Sequence, residues 1–169
     1  MDKLMGLTPL TGGERREVAR LRRTIRDEGW ALARGCVEVD GAHFDARYTA
    51  GLTRHHGHPE LIVVGARLPR EQLILHGLAE QVAAGATLEP CWVSFGSRQL
   101  ALVPVDEPEV LWLAHLVYAA QGHPVSALQV VAPDDRGRWP WSGGDAVVLG
   151  DWPFAAAVLR RGRPRRPLH

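Results

Sequence analysis

Val18, Leu21 and Ile25 recur at spacings of three and four among Arg15, Arg16, Glu17, Arg20, Arg22, Arg23, Arg26 and Asp27. This pattern predicts a helix over residues 13–28 with one narrow apolar stripe and otherwise solvated faces. Thr11 followed by Glu14 is a capping-box spacing at its start, and Gly29 stops it. Trp30–Val39 is apolar and β-branched enough for a strand, Asp40-Gly41 is a hairpin turn signal, and Phe44–Leu52 alternates as the returning strand. A histidine-rich turn then leads into Leu61–Val64, a continuous apolar run suited to a buried central strand.

Pro69 opens a second helix whose apolar face is Ile74, Leu75, Leu78, Ala79 and Val82, closed by Gly85. Cys91–Phe95 and Leu100–Val105 read as strands around the turn Gly96-Ser97-Arg98. Asp106 is placed to cap a third helix running to Gly122; with Leu113 and Leu116 beside Val110, Leu111, Ala114, Val117 and Tyr118, it should be the most buried helix. Leu128–Ala132 is a further strand, ending in the turn-forming Pro133-Asp134-Asp135-Arg136-Gly137. Ala146–Leu149 suits a short edge strand and Phe154–Leu159 a terminal turn of helix.

Hairpins and helices without regular βαβ alternation predict an α+β fold: a mainly antiparallel sheet packed by about three helices, in a single domain. The sequence divides into an irregular lead-in over 1–13, a core over 14–142, an extension over 143–159 and an arginine-rich tail over 160–169. At 169 residues the chain is long enough to bury one core, and 46% hydrophobic with 23% charged residues is globular composition. No run approaches the roughly 18 apolar residues of a membrane span, and no apolar leader precedes a cleavage site, so a cytoplasmic location and no membrane partner are expected. In a reducing compartment Cys36 and Cys91 are expected to be small buried hydrophobes.

Charge changes this picture in one place. The chain carries 20 basic and 19 acidic residues, but Arg160, Arg161, Arg163, Arg165 and Arg166 lie in the tail, so the body is mildly acidic. Lysine occurs only at Lys3. Such an arginine skew, with abundant alanine, glycine and proline, follows from GC-rich coding and weighs little for phosphate recognition. Nucleic acid is expected to meet at most weak, salt-sensitive contacts from the tail, which serves equally as a solubilising or partner-docking terminus.

Polar chemistry is densest in His55-His56-Gly57-His58-Pro59-Glu60. In an extended conformation residues 56, 58 and 60 share one side about 6–7 Å apart, from which His56, His58 and Glu60 could converge on a divalent metal with open positions. Gly57 and Pro59 are turn formers that need not keep this alternation. A second reading is acid/base chemistry, with Glu60 orienting or charging His58, whose ordinary pKa near 6.5 suits proton transfer. The third is a rigid corner, in which proline fixes the backbone, the imidazole bonds a carbonyl and the carboxylate satisfies loop amides. Trp139-Pro140-Trp141 can form a stiff aromatic wall, and packing over the core is favoured above ligand stacking. Other familiar signatures are absent: there is no GxGxxG or GxxxxGK[ST] for a nucleotide cofactor, and no GxSxG, HExxH or CxxC.

Tyr48-Thr49-Ala50-Gly51-Leu52, then Gly57-His58-Pro59-Glu60-Leu61-Ile62-Val63-Val64-Gly65, and finally Gln129 with Pro133 to Trp141, resemble the motifs of a bacterial family catalogued as domain of unknown function 4262. The likeness runs over roughly residues 14–142 in order and spacing. It implies no reaction, and it marks His58, Glu60, Asp134, Pro140 and Trp141 as pattern positions while His55 and His56 are particular to this chain. The residues that follow Trp141 depart from the family pattern.

These motifs predict a small-molecule site lined by Tyr48, Thr49, His58, Glu60, Asp134, Arg136, Arg138, Trp139 and Trp141, because strand ends and loops are where sites lie. In the leading reading His58 transfers a proton with help from Glu60, Trp141 shapes the pocket, and Arg136 or Arg138 meets an anionic group. The alternatives are a non-enzymatic binding or regulatory module for a metabolite or protein partner, and a metalloprotein built on His56, His58 and Glu60. Assembly into a homo-oligomer is compatible with each.

Overall fold

A computed structural model describes residues 9–65, 68–118 and 124–150. Helix α1 spans Gly12–Glu28, capped at Thr11 by the reciprocal box with Glu14 and ended by Gly29 in the left-handed conformation. Strands β1 (Ala31–Val39) and β2 (Ala42–Ala50) form the hairpin, with Asp40 and Gly41 both at positive φ as a two-residue type I′ turn requires. A short helix α2 (Leu52–His56) precedes β3 (Glu60–Val64). Then come α3 (Leu68–Ala83), β4 (Trp92–Phe95), β5 (Arg98–Pro104), α4 (Trp112–Tyr118) and β6 (Ala127–Val131).

The six strands form one sheet in the order β1-β2-β3-β6-β5-β4, antiparallel except for the β3–β6 pair. The expected α+β architecture with a mainly antiparallel sheet is therefore the observed one. Because strand side chains alternate, each strand feeds both faces. On one face Ala33, Ala46, Tyr48, Ile62 and Val64 pack under Leu21 and Ile25 of α1 and Leu113 and Val117 of α4. On the other, Leu61, Val63, Leu100, Leu102, Leu128 and Val130 pack under Ile74, Leu75, Leu78 and Val82 of α3.

Several expectations are corrected. Residues expected as a histidine turn include α2, a single helical turn bounded by Gly51 and Gly57, too short for periodicity to reveal. Asp106 caps no helix: a 3₁₀ turn at Pro108–Val110 intervenes, and α4 begins only at Trp112. Ala146–Leu149 joins no strand pair. Instead the buried amide of Gln129 donates to the Val147 carbonyl (2.6 Å) and accepts from the Leu149 amide (2.7 Å), so one side chain holds this segment against the sheet. Cys36 is exposed and Cys91 half-buried, since α3 covers the central strands rather than the far end of β1. Among the described residues no helix is long and apolar enough to cross a membrane. The end of the third helix at Gly122, the turn at Phe154–Leu159 and the arginine tail lie outside the described residues.

Candidate functional site

The Gly57–Glu60 corner sits where β2, α2 and β3 meet, and its polar atoms are spoken for. Gly51 stands at the N-cap position of α2 with φ 120°, where a Cβ would come within 2.7 Å of the Gly29 carbonyl and of Trp30 Cα. Only glycine fits, and glycine has no side chain to cap with. Glu60 supplies the cap from the next strand: its Oε1 accepts the Gly51 and Thr53 amides, each at 3.1 Å. The same oxygen accepts the Tyr118 hydroxyl at 3.0 Å, and Oε2 accepts the Thr49 hydroxyl at 2.6 Å. Thr49 Oγ1 accepts in turn from the Leu61 amide at 2.8 Å.

Glu60 is thus a fully buried carboxylate held by four neutral donors. Burying a lone ion costs several kcal/mol, which hydrogen bonds to a charged acceptor, worth about 1.5–3 kcal/mol each, offset. The negative charge also acts on its neighbour: burial first, and then Glu60, push the Tyr118 phenol far above its ordinary pKa, so it remains a donor. Tyr48 is likewise raised by burial, and its hydroxyl accepts from the Leu113 amide (3.1 Å) in the first turn of α4. Helix α4 is therefore held near its start by Tyr48 and at its end by Glu60.

His58 is buried with both ring nitrogens engaged. Nδ1 lies 2.7 Å from the Pro59 carbonyl, and Nε2 accepts from the Leu88 amide at 2.8 Å. An acceptor at one nitrogen and a donor at the other fix the neutral tautomer with its proton on Nδ1. At this corner the imidazole lies against a carbonyl and the carboxylate accepts loop amides.

The metal set is not assembled. His56 ends α2 with its Nε2 against Gly29, whereas His58 turns to Leu88 and Glu60 to Tyr118. Helical geometry in α2 breaks the alternation that would have aligned the three. Among the described residues no group of three His, Cys, Asp or Glu side chains could hold a metal ion.

The Asp134–Trp141 loop lies elsewhere. β3 and β6 run parallel with Glu60 opposite Ala127, so Glu60 stands at the starting edge while Asp134 follows the far end of β6. The length of β6, roughly 13 Å, separates these levels. The structure therefore joins Tyr48, Thr49, His58 and Glu60 at one end and leaves Asp134, Arg136, Arg138, Trp139 and Trp141 at the other. Asp134 Oδ1 accepts the Arg136 (2.9 Å) and Arg138 (2.8 Å) amides, and Oδ2 accepts Arg138 Nε (2.9 Å). The Arg138 amide, then the Arg136 amide and the Arg138 guanidinium, hold its carboxyl below the usual range against the opposing effect of burial. Trp139 and Trp141 stack with centroids 5.2 Å apart, both edge-on to Trp92, and roof Ala101, Val103 and Val131.

A different part of the molecule is concave. Along the edge strand β1, with α1 on one face of the sheet and α3 on the other, lies a cleft of about 610 Å³ lined by Glu17, Arg20, Leu32, Ala33, Arg34, Arg47 and Gln72. Glu17 takes Arg20 in a two-pronged ion pair (2.6 and 2.9 Å), and Arg20 also donates to the Leu32 carbonyl. Arg34 and Arg47 are direct cross-strand partners. Sequence reasoning missed this cleft by treating the arginines as a codon effect and a solvated helix face. The signal was present: Arg34 and Arg47 stand equally far from the Asp40-Gly41 turn, and a two-residue hairpin places such positions opposite one another.

What the fold and this corner define is an α+β domain whose motif residues interlock strands, loops and helix termini. The family model described as Domain of unknown function (DUF4262) matches residues 24–145, and the chain belongs to that family. No curated protein and no solved structure matches the chain.

Proposed function

We propose that this domain binds a small molecule without transforming it, in the cleft lined by Glu17, Arg20, Leu32, Arg34, Arg47 and Gln72. The observation that carries this reading is the contrast between the two polar regions. At the His58–Glu60 corner both imidazole nitrogens and both carboxylate oxygens are consumed by protein partners, so a proton-transfer role would require breaking the contacts that shape the corner. In the cleft, polar groups from four elements line about 610 Å³ of space, within the range of small-ligand sites. Trp139 and Trp141 serve as a roof over the sheet in this reading.

The test is a thermal-shift screen of a metabolite library against the wild type and His58→Gln, followed by amide chemical-shift mapping of each hit. Compounds that stabilise the wild type should stabilise His58→Gln equally, because a ligand of the native state raises stability by mass action wherever it binds. Their shifts should map to residues 17–20, 32–34 and 47. Hits that lose their effect in a folded His58→Gln, or map to the corner, would return the site to the acid/base reading.

A further inference from the structure

The cleft's unbalanced charge defines what it takes. It presents three guanidinium groups and one carboxylate, and that carboxylate is already committed to Arg20, whose hydrogen bonds hold Glu17 below its ordinary pKa. Arg34 and Arg47 remain. They oppose each other across β1 and β2, where directly facing side chains have Cβ atoms about 4.5–5.5 Å apart and like charges repel. Glu17 also acts on Arg34 through space, but its hydrogen bonds go to Arg20.

Their donors are also under-used. Arg47 Nη1 bonds the Ala46 carbonyl in its own strand, but its Nε is buried and has no partner. A buried guanidinium N–H left unpaired costs about 1–3 kcal/mol. Arg34 is exposed and, among the described residues, makes no hydrogen bond. Guanidinium groups carried at directly paired positions of adjacent strands suit the paired oxygens of a tetrahedral oxyanion in a way that lysine would not.

We infer that the cleft recognises a small molecule through a phosphate-monoester group held between Arg34 and Arg47. This rests on the reading of the cleft as the binding site and names its ligand class. The lining groups sum to two positive charges, and a phosphate monoester carries about −1.5 to −2 at neutral pH, whereas one carboxylate leaves an arginine uncompensated. The volume exceeds what phosphate alone fills, leaving the Gln72 amide and the Leu32 side chain for the organic remainder.

Calorimetric titration at constant ionic strength tests this with inorganic phosphate, a glycerol monophosphate and succinate, on the full chain and on Arg34→Glu. The two phosphates should bind the wild type saturably and more tightly than succinate, with affinity falling roughly tenfold or more in the variant. Arg34→Glu should at the same time unfold in a single cooperative transition as the wild type does, because Arg34 is exposed and its replacement opens no core. Phosphate affinity unchanged in Arg34→Glu would place the anion on another arginine cluster and overturn the inference. Succinate binding as tightly as phosphate would overturn the ligand class. If no dianion binds while neutral compounds still map to the cleft, the inference fails and the binding-site reading stands. If no compound perturbs the cleft, the binding-site reading itself fails.

Discussion

The Tyr118 hydroxyl donates to the Glu60 carboxylate at 3.0 Å across 58 residues of sequence, tying the end of α4 to the first residue of β3. That one bond links a helix covering the sheet to the carboxylate that caps α2, so the corner and the helix are fixed together. The residues around it share this character. Tyr48 holds the start of α4, Thr49 bridges Leu61 and Glu60, Gly51 fits where no other residue can, and His58 reaches the Leu88 loop. A constellation that resembles an acid/base pair in sequence is bonded here on every side to the protein's own groups.

His58→Gln is expected to lower stability by about 1–2 kcal/mol, the worth of the contacts its ring makes. The loss should be local as well as global: hydrogen exchange of the Leu88 amide, which now donates to Nε2, should accelerate. A Leu88 amide as protected as in the wild type would show that the ring does not anchor that loop.

Gly51→Ala is expected to cost about 3 kcal/mol, combining a positive φ with contact against the Gly29 carbonyl and Trp30. Denaturant unfolding measures this directly. A loss below about 0.5 kcal/mol, the range of ordinary surface changes, would mean the close approach between β2 and the end of α1 relaxes freely.

Asp134 sets an acid limb in stability. Its folded carboxyl titrates below the unfolded value near 3.9, so the stabilisation is fully present above about pH 4 and is lost as pH falls through the lowered folded value. Asp134→Asn should be less stable than wild type at neutral pH, and the difference should shrink as the pH falls below about 4. A difference that stays constant across that window would contradict the assignment.

Chelator treatment should leave the melting temperature unchanged, because His56, His58 and Glu60 point to separate partners. A fall in melting temperature that zinc restores would reinstate a metal centre.

Much of the fold is legible because local signals and tertiary contacts agree. The Thr11–Glu14 box, the Asp40-Gly41 turn and the stripe of Val18, Leu21 and Ile25 each describe interactions within a few residues, and each is found where the pattern places it. The site is less legible because its partners are distant. Nothing in the spacing of His58-Pro59-Glu60 tells that Tyr118 and Leu88 will occupy them, or that a parallel β3–β6 pair sends Asp134 to the opposite edge of the sheet. Gln129 illustrates the same limit, since its amide substitutes for a strand partner of Val147 and Leu149. Arg34 and Arg47 differ: the hairpin register alone brings them together, so that part of the cleft can be read from the turn outward.

The most direct test that Glu60 serves the fold is a double-mutant cycle of Glu60→Gln and Tyr118→Phe, followed by denaturant unfolding at neutral pH. Each single change should lower stability, and the pair should show a coupling of about 1–2 kcal/mol, as expected for a buried hydrogen bond to a carboxylate. Two near-neutral single changes without coupling would contradict that role and leave Glu60 available for chemistry.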